Sequence, residues 1–465
     1  MKSIIFKKII YAPFLLLFMN VTRAQSYTFP DETAPHEGTW LQWPHQYEYG
    51  TAYRNSLDAT WVAMTDALQV NENVHIIAYN LTEQARITNL LTNAGVPLTN
   101  INFKLFQTND VWVRDNGPIY VRNSSGNLVI EDWGFNGWGG DYNFAKCNVI
   151  PTSIATATST TVLNLNSLMT IEGGSWELDE TGTFLATRSS ILAQSNPTTP
   201  TGIHAVRNLG MTQVQAETIL SQYIGATKFI WLNGAFSTDD ITDSHIDGIA
   251  KFVPGNKMVT MNSADLLYWG LSQADINTLF AASNHSNSVY TKIYLPLTQN
   301  NVTTQTGTAL GFKGCYINYY VANNSVLVPN YNDPNDAVAN SIIGGLYPGR
   351  TVVGIDVRNL YENGGMVHCV TQQQPIATLL EIGEINADDL EVKIYPNPSK
   401  YEIQINIGDT IGSLEFYNNL GSQVYDMKKY ISNTKIDISN LSNGVYFIKI
   451  ITEDSKIVFK KIIKE

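Results

Sequence analysis

The sequence predicts a mixed α/β region over residues 25–385 followed by a small all-β domain over residues 386–465. Three features carry that expectation. Helical segments alternate with strand-like runs, the texture changes abruptly near residue 385, and 465 residues exceed what one compact core ordinarily holds.

Residues 1–24 open with Lys2, Lys7 and Lys8, continue through the apolar YAPFLLLFMNV and finish on Thr22, Arg23 and Ala24. Basic, then apolar, then small is the order of a secretory signal peptide, and the apolar run is short for a membrane span. No later stretch is apolar for long enough to cross a bilayer as a helix.

Between residues 25 and 385, SLDATWVAMTDALQV and TQVQAETILSQYI repeat apolar residues at helical spacing, whereas NVHIIAYN, PIYVRN and KMVTMN read as strands. SIATATSTTVLNLN, rich in Ser and Thr, reads as a surface loop or an edge strand. No internal repeat of fixed period is visible. After residue 385 come seven short strand-like runs with turn residues between them: EVKIYPNP, EIQINIG, SLEFYNNLG, SQVYDMKK, KIDISNLSNG, VYFIKIIT and KIVFKKIIK. That spacing is a β-sandwich of independent-domain length. It contains no histidine or cysteine, so no chemistry is expected of it.

Residues 25–389 hold 15 Lys and Arg against 32 Asp and Glu, a net charge of −17. Such a region repels nucleic acid and attracts cations. The three cysteines, Cys147, Cys315 and Cys369, cannot build a disulfide framework, and in an exported chain at least one stays unpaired. A Cys147–Cys315 pair is possible. Retention of a free thiol outside the cell favours a chemical role over packing.

Four stretches concentrate reactive side chains. NDVWVRDNGPIYV sets Asp110, Trp112, Arg114 and Asp115 before a Gly117-Pro118 turn, among apolar neighbours that imply partial burial. Buried carboxylates need cationic partners. IEGGSWELD leads Glu172 into a glycine pair, which lets another chain segment or a ligand approach closely. DDITDSHIDGIAKF offers His245 and Asp247 two apart, a spacing that puts both side chains on one face of a strand. They supply only two metal ligands, and no HExxH or CxxC adds others, so neither metal nor cofactor is expected. NGGMVHCVTQQQP places Cys369 after a glycine turn, either as a small buried hydrophobe or as a nucleophile on a tight bend.

Carboxylates beside a cysteine raise its pKa and make thiolate scarce, which would spoil a protease site. They become useful when the substrate brings positive charge. A guanidinium is planar, permanently cationic and presents paired N–H donors that carboxylates grip two at a time. A thiolate above that plane can attack the central carbon once carboxylates fix the plane and a histidine protonates the departing nitrogen.

WVRDNGP, DWGFNGWGG, EGG, TDSHID and GGMVHCVTQQQP, in that order, resemble the agmatine deiminase and bacterial peptidylarginine deiminase family of guanidine-modifying enzymes, the penteins. The resemblance covers nearly all of residues 27–380. It implies a five-bladed α/β propeller with a central substrate channel. It further implies Cys369 as nucleophile, His245 as general acid and base, Asp115 and Asp247 as guanidinium-binding carboxylates, and Glu172 as helper of the histidine or the substrate. Trp112 becomes an aromatic wall, with Asp110 and Arg114 as further substrate-binding residues. The stretch WGFNGWGGDYN contains no arginine to hold a carboxylate tail. The expected reaction is therefore conversion of agmatine to N-carbamoylputrescine and ammonia through an amidino-cysteine. Peptidylarginine deimination, or a non-catalytic guanidine-binding surface protein, are the alternatives.

The YPNP start, LSNGVYFIKI and the lysine-rich last strand resemble the C-terminal sorting domain of type IX secretion cargo. Expected partners are thus a small guanidinium compound and the type IX machinery, with export through the periplasm to the cell surface or medium.

Overall fold

The computed structural model describes residues 27–140, 142–192, 207–235, 240–377, 392–407, 411–418, 423–430, 435–452 and 457–465. The signal peptide expected at residues 1–24 and the domain boundary expected near residue 385 lie outside these residues.

Among the described residues before 378, one pattern recurs in five sheets. An antiparallel pair is followed by a helical crossover into a third, parallel strand. His36–Gln42, paired with Gln372–Pro375 on one side, crosses through Gln46–Gln69 to Asn73–Ala78, which is joined by Ile101–Leu105. The second sheet orders Ile119–Arg122, Leu128–Gly134 and Thr161–Thr170; the third orders Trp176–Leu178, Thr183–Thr187 and Lys228–Leu232. The fourth is Ala250–Val253, Lys257–Thr260 and Thr291–Tyr294, and the fifth is Tyr320–Val321, Ser325–Asn330 and Thr351–Asp356. No one of these sheets closes on itself. In the first, the antiparallel partner of the opening strand comes from the far end of the region, so residues 36–42 and 372–375 tie the region shut.

The repetition escapes notice in the sequence because each unit keeps the order of elements and not the residues. The second strand in each sheet has neighbours on both sides and is buried along its length, as in Leu128–Gly134 and Thr183–Thr187. Such strands read as continuous apolar runs, without alternation. The crossover helix Gln46–Gln69 buries Leu57, Trp61, Met64 and Leu68, a helical stripe whose members stabilise the fold by about 1.5–3 kcal/mol each. Gln213–Tyr223 starts on a capping box between Thr212 and Gln215.

SIATATSTTVLNLN departs only in part from the expected loop or edge strand. Its first half lies in a helix, Ile150–Thr158, and its second half begins the edge strand Thr161–Thr170. Pro151 pre-sets the first turn, Ile150, Ile154 and Ala155 are buried, and the hydroxyls of Ser153, Thr156 and Thr158 donate to carbonyls four residues back. Burial of the isoleucine stripe overrides the weak helix preference of serine and threonine.

In the tail all seven expected strands form, in sheets of three and four. Ile403, Ile405 and Ile436 from one sheet share a core with Leu414, Phe416, Ile448 and Ile450 from the other. Among the described residues no helix is long and apolar enough to cross a membrane.

Candidate active site

Each of the five sheets is entered through a short turn, and these turns carry the reactive side chains. Asp115 sits in the helical turn Val113–Asn116 before the second sheet, and Gly173–Ser175 forms a 3-10 turn before the third. His245 caps the 3-10 turn Ile246–Gly248 before the fourth, Asn318 precedes Tyr320 in the fifth, and Cys369 lies within the 3-10 turn His368–Val370 before Gln372–Pro375. The expected strand around His245 and Asp247 is corrected to this 3-10 turn. Asp243 and Ser244 have positive φ, which breaks any extended run before the histidine.

Gly174 is where the turns meet. A Cβ there would come within 2.8 Å of His245 Nδ1, 2.9 Å of Asp115 Oδ1 and 2.9 Å of Asp247 Oδ2. Only a residue without a side chain leaves those three groups room to converge. The Gly174 N–H donates to Asp115 Oδ1 at 3.1 Å, Trp138 Nε1 donates to Asp115 Oδ2 at 2.9 Å, and His245 Nδ1 stands 3.7 Å from Asp115 Oδ1. His245 Nε2 faces Glu172 Oε2 at 2.8 Å. Cys369 Sγ lies 3.6 Å from Asp247 Oδ2 and 3.2 Å from Asn318 Nδ2.

The electrostatics follow from this packing. Burial pushes the Cys369 thiol up, and the charges of Asp247 and Asp115 push it further, well above its ordinary value. Burial would lower His245, but Asp115, Glu172 and Asp247 outweigh it and raise the imidazole to about 9. Asp115 rises to about 6, driven by burial and by Glu172 and Asp247 against the pull of His245. Asp247 and Glu172 are also buried, yet both fall below the ordinary carboxylate value: the former through the His368 hydrogen bond and charge, the latter chiefly through the Arg207 charge.

The structure brings Cys369, His245, Asp115, Asp247 and Glu172 together. Trp112 packs its ring against Gly365, at the turn leading to Cys369. Asp110 and Arg114 have other partners than the substrate contacts expected of them. Asp110 Oδ1 accepts from the Trp112 N–H at 2.8 Å and from Asn116 Nδ2 at 2.7 Å. Arg114 donates to Gln373 Oε1 at 2.8 Å and to the His368 carbonyl at 3.3 Å, with its guanidinium over the Tyr320 ring. It reaches the site as a positive charge behind Asp247. All three cysteines are free; Cys315 Sγ donates to the Gly248 carbonyl and Cys147 Sγ accepts from the Asn109 N–H, so the possible pair does not form. Among the described residues no group of three or more His, Cys, Asp or Glu side chains is arranged to hold a metal ion.

Sequence reasoning missed four participants. Asn318 holds the thiol and also accepts from the His368 N–H at 2.9 Å. Arg207 donates to Glu172 at 3.0 Å and pairs with Asp243, so the group that orients His245 is itself held. His368 and Glu32 complete the set: His368 Nδ1 is 3.0 Å from Asp247 Oδ2 and its Nε2 is 2.9 Å from Glu32 Oε2. His368 adjoins the cysteine in NGGMVHCVTQQQP; nothing local marks the other three.

Residues 28–375 match the Porphyromonas-type peptidyl-arginine deiminase family, and residues 393–465 match the secretion system C-terminal sorting domain. A Legionella pneumophila (strain Paris) protein, provisionally named agmatine deiminase, is 30% identical over 370 residues, covering 77% of this chain and 98% of that protein. The crystal structure of a provisionally named arginine deiminase from Porphyromonas gingivalis superposes with a TM-score of 0.63 at 28% identity, covering 76% of this chain and 99% of that one. The agmatine deiminase of Enterococcus faecalis, at 24% identity and a TM-score of 0.62, shares the fold over 75% of this chain and 96% of its own.

Proposed function

From the premise that this chain belongs to the Porphyromonas-type peptidyl-arginine deiminase family, whose members hydrolyse guanidino C–N bonds and one of whose relatives carries the agmatine deiminase name, we propose that it deiminates agmatine to N-carbamoylputrescine and ammonia. The carrying observation is the convergence of Asp115, His245 and Asp247 on Gly174, with Cys369 Sγ 3.6 Å from Asp247. Two carboxylates and a thiol in one sealed site suit a substrate that is itself a cation.

The five sheets are read as the blades of a five-bladed α/β propeller, with the five entering turns facing its channel. Asp115 and Asp247 take the N–H edges of the guanidinium and fix its plane. The free thiol is protonated, held so by burial and the two carboxylates; the bound cation offsets those charges, and the thiol proton passes to solvent as the thiolate forms. The thiolate attacks the guanidinium carbon and the C–S bond forms. His245, protonated below about pH 9, gives its proton to the departing nitrogen, the C–N bond breaks, and ammonia leaves behind an amidino-cysteine. His245, now neutral, takes a proton from water as the hydroxyl attacks the same carbon. Collapse breaks the C–S bond, the hydroxyl proton passes to the departing sulfur to restore the thiol, and the carbamoyl product is released. Glu172 holds the imidazole in place and stabilises its charged form. The sorting domain sends the protein to the cell surface or outside, by way of the signal peptide and the periplasm.

A second reading, citrullination of peptidyl-arginine, is favoured by the match of residues 28–375 to a peptidyl-arginine deiminase family. Ammonia release from agmatine, free arginine and an arginine peptide, assayed side by side, separates the two. Preference for the peptide sinks the agmatine assignment, and release from none of them sinks the deiminase.

A further inference from the structure

Resting on the deiminase reading above, we infer that His368, backed by Glu32, is the positioning residue that fixes Asp247 as the ionised, correctly aimed arm of the guanidinium clamp. The two clamp carboxylates stand in different surroundings. Asp115 is held by neutral donors, Trp138 Nε1 and the Gly174 N–H, with His245 at 3.7 Å. Asp247 has an imidazole nitrogen directly on Oδ2, at 3.0 Å. The oxygen so engaged is the one that faces Cys369 Sγ and lies 2.9 Å from where a Gly174 Cβ would be.

His368 is itself held on every side. Its ring lies between two carboxylates, with Nδ1 3.0 Å from Asp247 Oδ2 and Nε2 2.9 Å from Glu32 Oε2. Its N–H donates to Asn318 Oδ1 and its carbonyl accepts from Arg114 Nε. Glu32 accepts from the Val321 N–H at 2.9 Å, lies 3.2 Å from Lys251 Nζ and 3.6 Å from Arg114 Nη2. Lys251 in turn lies 3.2 Å from Glu177. Glu32, Lys251 and Glu177 line a cavity that Arg114 and His368 also line and Cys369 does not. The facing charges are thus Asp247, Glu32, Arg114, Lys251 and Glu177 around His368, and His245, Asp115, Cys369, Arg114 and His368 around Asp247.

The consequence is a division of labour within the clamp. Asp247 falls below the ordinary carboxylate value while Asp115 rises to about 6, although both are buried. The His368 hydrogen bond is the largest influence that favours ionised Asp247. Without it, the side chain loses the donor that sets its rotamer, and burial together with the neighbouring Asp115 then favours its neutral form. A neutral Asp247 cannot grip a guanidinium edge.

The test compares His368→Ala, His368→Asn and Glu32→Gln in the full chain, with agmatine kinetics and melting temperature measured for each. Asn can place an N–H donor where Nδ1 stands, restoring the bond to Asp247 without the link to Glu32. We expect His368→Ala to lower kcat/KM by about tenfold to a hundredfold, the scale associated with losing an orienting partner, mostly through KM. His368→Asn should recover most of that loss, and Glu32→Gln should raise KM severalfold at an unchanged melting temperature. A His368→Ala protein within twofold of the parent, or Ala and Asn variants impaired alike, overturns the inference. If His368→Ala does not fold, Glu32→Gln decides: an unchanged KM overturns it. Turnover in the parent with these failures leaves the deiminase reading standing, whereas no turnover in the parent removes that reading and this inference with it.

Discussion

His245 Nε2 stands 2.8 Å from Glu172 Oε2, and the carboxylate that holds it is held by Arg207. The charge of Asp115, this contact with Glu172 and the charge of Asp247 together keep the imidazole charged up to about pH 9, although burial alone would do the reverse. A charged imidazole is what an acid catalyst at a departing nitrogen requires.

Glu172→Gln tests that link. His245 is raised in the folded protein, so its acid form is present below about pH 9 and is lost as pH rises through that value. Removing the Glu172 charge should move the alkaline limb of the kcat/KM profile toward neutral by on the order of one unit, within the range an opposite charge ordinarily shifts a pKa. A limb that stays put assigns it to another group.

On the proposed reading, Asp115 should set the acid limb. Its value of about 6 means the clamp is half protonated at that pH and is lost as pH falls further. Trp138→Phe deletes the Nε1 donor that favours the ionised form, so the limb should move to higher pH. The melting temperature measured alongside distinguishes this from lost packing.

Gly174→Ala should lower turnover by at least a hundredfold, because its Cβ meets His245, Asp115 and Asp247 at once and misplacing reacting groups by a fraction of an ångström is costly. Gly345→Ala, whose Cβ would meet nothing within 4 Å, is the comparison and should leave activity unchanged. Near-normal kinetics in Gly174→Ala would mean the three groups do not act together.

Asp247→Asn keeps the shape of the side chain, removes the charge and turns one acceptor toward the substrate into a donor. Turnover should fall about a hundredfold or more, with little change in melting temperature. Asp110→Asn, which caps the Trp112 turn, should affect melting more than kinetics. The opposite pattern exchanges their parts.

The sequence was informative wherever chemistry was local. Asp115 in WVRDNGP, Glu172 before its glycine pair, His245 and Asp247 two apart, and Cys369 after its turn all converge in the structure. The seven tail strands were legible because alternation and turn residues mark each one. What escaped is long-range. Glu32 is 336 residues from His368, Asn318 is 51 from Cys369, and Arg207 is 35 from Glu172. A single sequence records no such pairings, and Glu32 sits among ordinary polar residues. Arg114, expected from the resemblance as a substrate-binding residue, adjoins Asp115, but successive residues of a helical turn point in different directions, and its guanidinium goes to Gln373. The five-sheet repetition was hidden because a buried central strand asks only for apolar residues in some order.

The most direct test is mass spectrometry of the protein quenched in acid during steady turnover of agmatine. The account predicts that the peptide containing Cys369 gains the mass of agmatine less ammonia, that the gain disappears once substrate is exhausted, and that Cys369→Ala neither gains mass nor releases ammonia. Ammonia release by Cys369→Ala at a rate near the parent's, with no adduct on the parent's Cys369, would contradict it.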